Sequence, residues 1–382
     1  MSNSSQKKKI TINWVGALFL LLSPVAAVLF TIMHVYIEGF RWPIWALAVV
    51  FYALSAGSIT GGYHRLFAHR AYESRTWLKW FWALFGAAAF QNSILIWARD
   101  HRVHHRFVDS DQDPYSINKG FFWAHFGWML VDDKAQASLA VPYGRDLERD
   151  PVVAFQHKHY VLLAIAMGLG LPALIGYFLG SAFGGLAVAG FARIVLLHHA
   201  TFLINSWCHM WGKQTYTDTN TARDSLILAV LTFGEGYHNF HHIFANDYRN
   251  GIRWYHWDPT KWMIQVFAML GGAYSLRRTP QGEILLAQMQ MEEKNLKAKL
   301  SDQWQAQFQE QIDAFKIRVE SAQKRFEHLR AEYRQMAKQY RRSSMDRLDE
   351  IRKQIELARN EMREALRQWR EFQTLLLNAQ MA

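Results

Sequence analysis

The apolar positions of this chain fall into runs of two kinds. Runs at about 14–37, 44–61, 160–180 and 182–205 are near the ~20 residues an α-helix needs to cross ~30 Å of hydrocarbon. Pro24 inside the first is tolerable in a membrane helix. Trp42 and Trp45, beside the turn at 39–43, have the character of interface anchors. A Gly/Ser turn divides the last two runs. The segment 77–97 is as apolar, but is expected to lie in the interface and not cross, because similar histidine motifs flank it and have to share one side. Residues 108–158 and 210–259 are polar and aromatic, and 262–270 reads as a short apolar helix.

The second kind begins at Trp304. Phe308, Ile312, Phe315, Val319, Ala322, Phe326, Leu329, Tyr333, Met336 and Tyr340 follow in steps of three and four, the seam of a coiled coil. A second seam reads Leu348, Ile351, Ile355, Ala358, Met362, Ala365, Trp369, Phe372, Leu376. Between them RRSSMD offers Ser343 and Asp346 as an N-cap with an acidic third position. The pattern predicts an antiparallel helical hairpin, with a self-associating coil as its rival. The fold expected is an all-α membrane protein: a segment 1–13, a domain 14–280 with four transmembrane helices capped by a helical domain, and a coiled-coil hairpin 281–382.

Charge and cysteine usage narrow the picture. The net charge is +11, but Lys and Arg are dispersed and no nucleic-acid motif appears, so nucleic acid is not an expected partner. Cys208 is the only cysteine, which leaves no disulfide framework and no thiolate metal site. No small-residue cleavage site follows the first apolar run, so it reads as a retained helix. Lys7, Lys8 and Lys9 precede it, and four crossings return the chain to its starting side. The positive-inside rule then makes both termini cytoplasmic.

The histidines supply the chemistry. His101, His104 and His105 lie in WARDHRVHHRF, His238, His241 and His242 in GEGYHNFHH, and His64 and His69 in HRLFAH. His209 lies one helical turn after Asn205 in NSWCHMWG. Offsets of three and four return to one helix face, so each triplet is expected to aim at one spot. Nine imidazoles are about twice what one ion holds, which points to two metals. Nitrogen-rich ligation without thiolate suits iron, zinc or copper better than magnesium or calcium. The four-span layout puts all four clusters on the cytoplasmic side. His125, His157 and His159 have no partner at metal-box spacing and read as structural, as do His198 and His199.

These motifs, with ITGGYHRLFAH, AFQNSILIWARDHRVHHRF, DPYS and GFFWAHFGW, resemble the membrane fatty acyl desaturases of the stearoyl-CoA Δ9-desaturase type, over about 51–255. The resemblance implies two iron ions (Fe2+/Fe3+) held by His64, His69, His101, His104, His105, His209, His238, His241 and His242, with Asn205 acting through a water. It implies O2 as co-substrate and a cis double bond, at Δ9, as product. It implies an acyl tunnel past Gln91, Trp97, Thr201 and Phe202 that ends at Tyr52 and Ala56, with carrier contacts from Asn92, Arg99 and Asp100. Phe202 stands where relatives carry Trp. Asp132 and Asp133 stand where animal acyl-CoA enzymes carry a basic pair, which is unfavourable beside a phosphate. The carrier is therefore read as coenzyme A with only a slight lean over a membrane phospholipid. No cytochrome b5 segment follows the boxes, so a separate donor protein (ferredoxin-, rubredoxin- or cytochrome b5-like) with its reductase is expected, in a bacterial inner membrane. The alternatives are a di-iron hydroxylase and a non-enzymatic metal carrier or scaffold. The tail is expected to be dispensable for chemistry and to dock a donor, a partner or the membrane surface.

Overall fold

The computed structural model describes residues 11–338 and 345–381. The lysine run at 7–9 and most of the expected RRSSMD turn lie outside the described residues, as do the side chains of Trp304 and Tyr340. Residues up to Lys213 together with Thr219–Arg278 form one compact unit, and Gln214–Asp218 with the chain from Thr279 onward form a second.

Among the described residues of the first unit, four helices are long and apolar enough to cross a membrane: α1 Trp14–Glu38, α2 Trp42–Ala68, then α5 Tyr160–Phe178 and α6 Ala182–His209. Asn13 caps α1 by accepting from the Gly16 amide at 3.0 Å, and Pro43 sits in the first turn of α2, where its missing N–H costs nothing. α1 turns Leu21, Leu22, Val25 and Val28 outward, as expected for a helix whose solvent is lipid.

Two of these helices overrun the apolar runs that announce them. α2 continues past Gly61 as a π-helical stretch, Ser58–Ala68, entirely buried, and α6 ends in a tight turn at Trp207–His209. Hydropathy falls where polar residues begin, but the backbone hydrogen bonds persist because Arg65 and the histidines find partners inside the protein. Between α2 and α5 lie α3 Thr76–Ala87 and α4 Ile94–Phe107. The apolar segment 77–97 is thus not one helix. It breaks at Phe90 and Asn92, both with positive φ (55° and 77°). At 1.5 Å per residue α3 covers about 18 Å, too short to cross.

α2 and α3 pack at close range. A Cβ on Gly86 would lie 2.2 Å from the Tyr63 ring, and one on Gly62 would lie 2.6 Å from Trp82 Cβ. Tyr63 and Trp82 are both fully buried there. Arg193, buried on α6, donates to the carbonyls of Ala88 (2.6 Å), Gly168 (2.9 Å) and Ala189 (3.0 Å). It thereby satisfies a carbonyl just beyond α3, the kind of group a helix end leaves open. α7 His238–Ile243 and α8 Pro259–Met269 complete the unit's labelled helices. Two two-residue strand pairs add minor β structure: Thr11–Ile12 with Val131–Asp132, and Glu73–Ser74 with Ala273–Tyr274.

Among its described residues the second unit holds three helices where the sequence suggests two: α9 Gln281–Lys297, α10 Asp302–Lys338 and α11 Met345–Met381. α10 and α11 run antiparallel. Phe315 meets Trp369 with ring centroids 6.0 Å apart, Phe308 meets Phe372 at 6.1 Å, and Arg352 donates to the Tyr333 hydroxyl at 2.9 Å. The seam buries Ile312, Val319, Ala322, Phe326 and Leu329 against Ala358, Met362, Ala365 and Trp369. α9 adds Met289 and Leu296 to this core.

Candidate metal centre

The nine histidines form two groups. His64, His69, His101, His105 and His241 make one, and His104, His209, His238 and His242 the other. Within each group the ligand nitrogens all lie within 4.8 Å of one another. Both triplets are divided between the groups, which corrects the expectation that a triplet aims at one spot. On an α-helix at ~100° per residue, the four-step partner lies about 40° away and the three-step partner about 60° the other way. His101 and His105 therefore share a group, and His104 turns to the other. His238 and His242 share a group likewise, and His241 crosses over. The groups meet where the rings of His105 and His242 stack at 4.4 Å.

The five-residue spacing of His64 and His69 would put them on different sides of an α-helix. The π turns bring them together: the His69 amide donates to the His64 carbonyl at 3.0 Å, an i→i+5 bond, and the rings lie 4.7 Å apart.

The donor set fits metal on chemical grounds. Glu235 Oε2 lies 2.9 Å from His64 Nδ1, and Asp113 Oδ1 lies 2.9 Å from His104 Nδ1. The Thr221 hydroxyl donates to Asp109 Oδ1, so it accepts from His209 Nδ1 at 2.7 Å. Acceptors facing Nδ1 place the proton there and turn the Nε2 lone pair inward. Inside, Nε2 atoms approach Nε2 atoms: His64–His241 3.0 Å, His69–His101 2.9 Å, His209–His238 3.0 Å, His104–His242 3.3 Å. Lone pairs converging at that range call for a cation. Two nitrogens bound at right angles to one ion at ~2.1 Å would lie about 3.0 Å apart. Burial first, and then neighbouring imidazoles, hold His69, His101, His105, His238, His241 and His242 well below the usual imidazole range, in the neutral form that binds metal.

Some of the residues behind the ligands lie within the motifs, and others, such as Asn250 and Asp258, lie outside them. Arg65, fully buried, donates Nε and Nη2 to Glu235 Oε1 (3.3 and 2.9 Å), and Nη1 and Nη2 to Asp258 (3.0 and 2.9 Å). Asn250 donates to the other Glu235 oxygen at 2.8 Å. Burial pushes the Glu235 carboxyl upward, but His64 and Arg65 outweigh it and hold the carboxyl below its ordinary value. The same balance holds for Asp113, where His104 and two backbone amides win. Arg65 lies in HRLFAH, Glu235 in GEGYHNFHH and Asp113 in DPYS, but no spacing marks any of them as part of the site.

A cavity of about 1020 Å³ opens onto both groups, lined by His64, His101 and His238. Tyr52, Ala56, Gln91, Asn92, Trp97, Arg99, Asp100, Thr201, Phe202 and Asn205 all line it, as do Asp132 and Asp133. Gln91 donates to Thr201 Oγ1 at 2.9 Å, Trp97 stacks on His101 at 5.0 Å, and Tyr52 donates to the Leu231 carbonyl at 2.9 Å. His125, His157, His198 and His199 stand outside both histidine groups. They bond instead to each other, to side chains or to a backbone carbonyl, as in His125–His199 (3.1 Å), His157–Ser93 (2.7 Å) and His198–Ala89 (2.8 Å).

Four crossing-length helices and two histidine groups that could each hold a metal, with a cavity opening onto both, define an all-α membrane protein with a candidate metal site. The chain belongs to the fatty acid desaturase family, whose sequence model matches residues 40–277. It is 42% identical over 300 residues to a probable acyl-CoA desaturase of Schizosaccharomyces pombe, covering 77% of this chain and 60% of the relative. It is 43% identical over 261 residues to acyl-CoA desaturase 1 of Saccharomyces cerevisiae, covering 67% and 50%. With the sn-1 stearoyl-lipid 9-desaturase of Anabaena variabilis it shares 37% identity over 272 residues, covering 70% and 95%. The chain thus spans 50–60% of the length of the two fungal relatives.

Proposed function

We propose that the protein is an O2-dependent fatty acyl desaturase that inserts a cis double bond, at Δ9, into a saturated long-chain acyl group. One observation carries this reading: a large cavity with walls such as Phe19, Leu20, Ile59 and Leu197 ends against histidines of both groups. The five-histidine and four-histidine groups would each hold one iron, with Asn205 contributing through a water. When bound, the pair of irons supplies the oxidising power to remove hydrogens from unactivated C–H bonds, using O2 and electrons from a separate donor. The chain's own residues do the placing. Trp97, fixed on His101, and the Gln91–Thr201 pair hold acyl carbons beside the histidines. Tyr52 and Ala56, one turn apart, limit how far the chain end reaches.

Acyl-CoA is the carrier proposed, with Asn92, Arg99 and Asp100 as its contacts. The names of the two fungal relatives support coenzyme A, and that of the cyanobacterial relative names a lipid substrate. The protein is proposed to sit in the membrane with its histidines on the cytoplasmic side.

The test is product analysis. Purified protein with iron and a matched donor system is offered labelled stearoyl-CoA or labelled phospholipid. A mono-unsaturated product from stearoyl-CoA is expected. A hydroxylated product would replace desaturation with hydroxylation, and conversion of phospholipid alone would replace the carrier.

A further inference from the structure

We infer that the short helix Leu226–Leu231 and α8 form a shelf seated in the lipid of the leaflet at which α2 leaves the membrane. The inference uses the crossing of α2 and not the activity of the site, so it stands or falls apart from the proposed reaction.

Both helices sort their residues by side. In the short helix Leu228 and Ala229 are buried, and Leu226, Ile227, Val230 and Leu231 are exposed. In α8 Ile264 is buried, and Phe267 packs on Trp77 and Trp82 with ring centroids 5.9 and 5.1 Å apart. The exposed positions of α8 are Trp262, Val266 and Met269, one stripe in steps of four and three, with Leu270 just beyond. The two helices carry a single charged side chain, Lys261, and it is turned inward. Its amine donates to the carbonyls of Gly251, Arg253 and His256 at 2.7, 2.7 and 3.2 Å. Trp257 joins the two faces: its indole N–H donates to the Val230 carbonyl at 3.3 Å, and its ring meets Trp262 at 5.7 Å. A joined apolar surface of this kind marks contact with a protein or a membrane.

Contacts with α2 decide for the membrane. The Tyr52 hydroxyl donates to the Leu231 carbonyl at 2.9 Å. A Cβ on Gly57 would lie 2.7 Å from Met263 Sδ and Cε, so α8 reaches α2 there. At 1.5 Å per residue, Tyr52 and Gly57 stand about 15 and 22 Å along α2 from Trp42. Both fall short of the ~30 Å of hydrocarbon that α2 crosses. Gly57 is thus about 8 Å inside the layer, within the ~5–10 Å to which interfacial helices sink. Val49, one turn before Tyr52 and on the same side, is exposed in the span, so lipid that wets α2 there continues onto Leu231. On its other side the shelf leads into Thr232, which lines the cavity.

The test is depth-resolved quenching. The full-length chain is labelled with a thiol-reactive fluorophore at Ile227→Cys or Met269→Cys and placed in phosphatidylcholine–phosphatidylglycerol vesicles. Cys208 is buried, so the unsubstituted chain should take no label. Labels at Leu22→Cys, on the outward face of α1, and at exposed Glu148→Cys serve as lipid and water references. A nitroxide on the lipid acyl chain should dim the labels at 227 and 269 as it dims that at 22, and iodide in the water should leave them bright. At 148 the order should be reversed. Iodide dimming 227 and 269 as strongly as 148 would put the shelf in water and overturn the inference. Neither quencher reaching them would mean that protein, such as a second copy of the chain, covers the face, and would overturn it too. Should one labelled variant fail to fold, the other decides.

Discussion

The two units use charged residues in opposite ways. In the first, charged side chains are buried and form the frame behind the histidine groups: Arg65 is 1% exposed, Glu235 3% and Asp258 0%. In the tail they are on the outside. Arg325–Glu361 and Arg367–Glu364 join side chains that are each about half exposed, and solvent-screened pairs of that kind contribute little. A buried network loses about 3–5 kcal/mol when one partner is removed, because the other is left uncompensated. The metal unit should therefore be brittle toward changes at its polar residues, and the tail toward changes at its apolar ones.

The sharpest way to test that contrast is inside one motif. His241→Ala and His242→Ala alter adjacent residues that serve different groups, and each should reduce desaturation by more than ~100-fold, beyond what supporting residues cost. Metal analysis should show each variant lacking a different ion. Equal loss of both ions from either variant would mean that the groups are not separate sites.

Next in size, Trp369→Ala should cost the tail about 3–5 kcal/mol, since a fully buried ring is replaced by a void. Thermal loss of helical signal in the purified protein would register it. Arg325→Ala on the same unit should change that melting by under ~1 kcal/mol. A comparable effect from both would erase the distinction drawn between seam and surface.

Glu235→Gln and Arg65→Lys, both in the buried frame, should lower metal affinity by roughly 10–100-fold, read by chelator competition. Lysine keeps the charge of Arg65 but not its fork, so full retention by Arg65→Lys would show that charge alone suffices. At the cavity's end, Ala56→Ile should shift preference toward shorter acyl chains by about 10-fold, measured as the ratio of C16 to C18 products. Smallest of all, His157→Ala removes one hydrogen bond to Ser93, worth about 1 kcal/mol, and product yield should persist.

Legibility in the sequence also differed between the units. The α10–α11 pair was visible at the level of single residues, because the seam repeats regularly and each burial follows from its neighbour. α9 was missed. It is short, polar overall, and enters the bundle at Gly282, where a Cβ would lie 2.3 Å from Gln323; no period announces a contact made by a missing side chain. In the metal unit the ligand candidates were visible from type and spacing, but not their division into five and four. That division depends on the difference between +40° and −60° on a helix, which "same face" does not resolve. Glu235, Asp113 and Arg65 stayed hidden because buried charges have no pattern of their own. Each is recognised only by the partner it meets, and for Arg65 and Glu235 that partner lies far away in the chain.

The π turns at the end of α2 have a consequence at the level of codons. Each i→i+5 hydrogen bond closes a ring that holds one more residue than the i→i+4 ring of an α-helix. Removing a single codon between 58 and 63 would leave hydropathy, charge and the length of a crossing almost untouched, and an alignment would score it as a minor gap. It would also let the stretch relax toward α geometry, where five residues turn through about 500° and His69 faces away from His64. In this family's genes an in-frame gap at that point should be rarer than one in any surface loop, although no histidine of either group is lost by it.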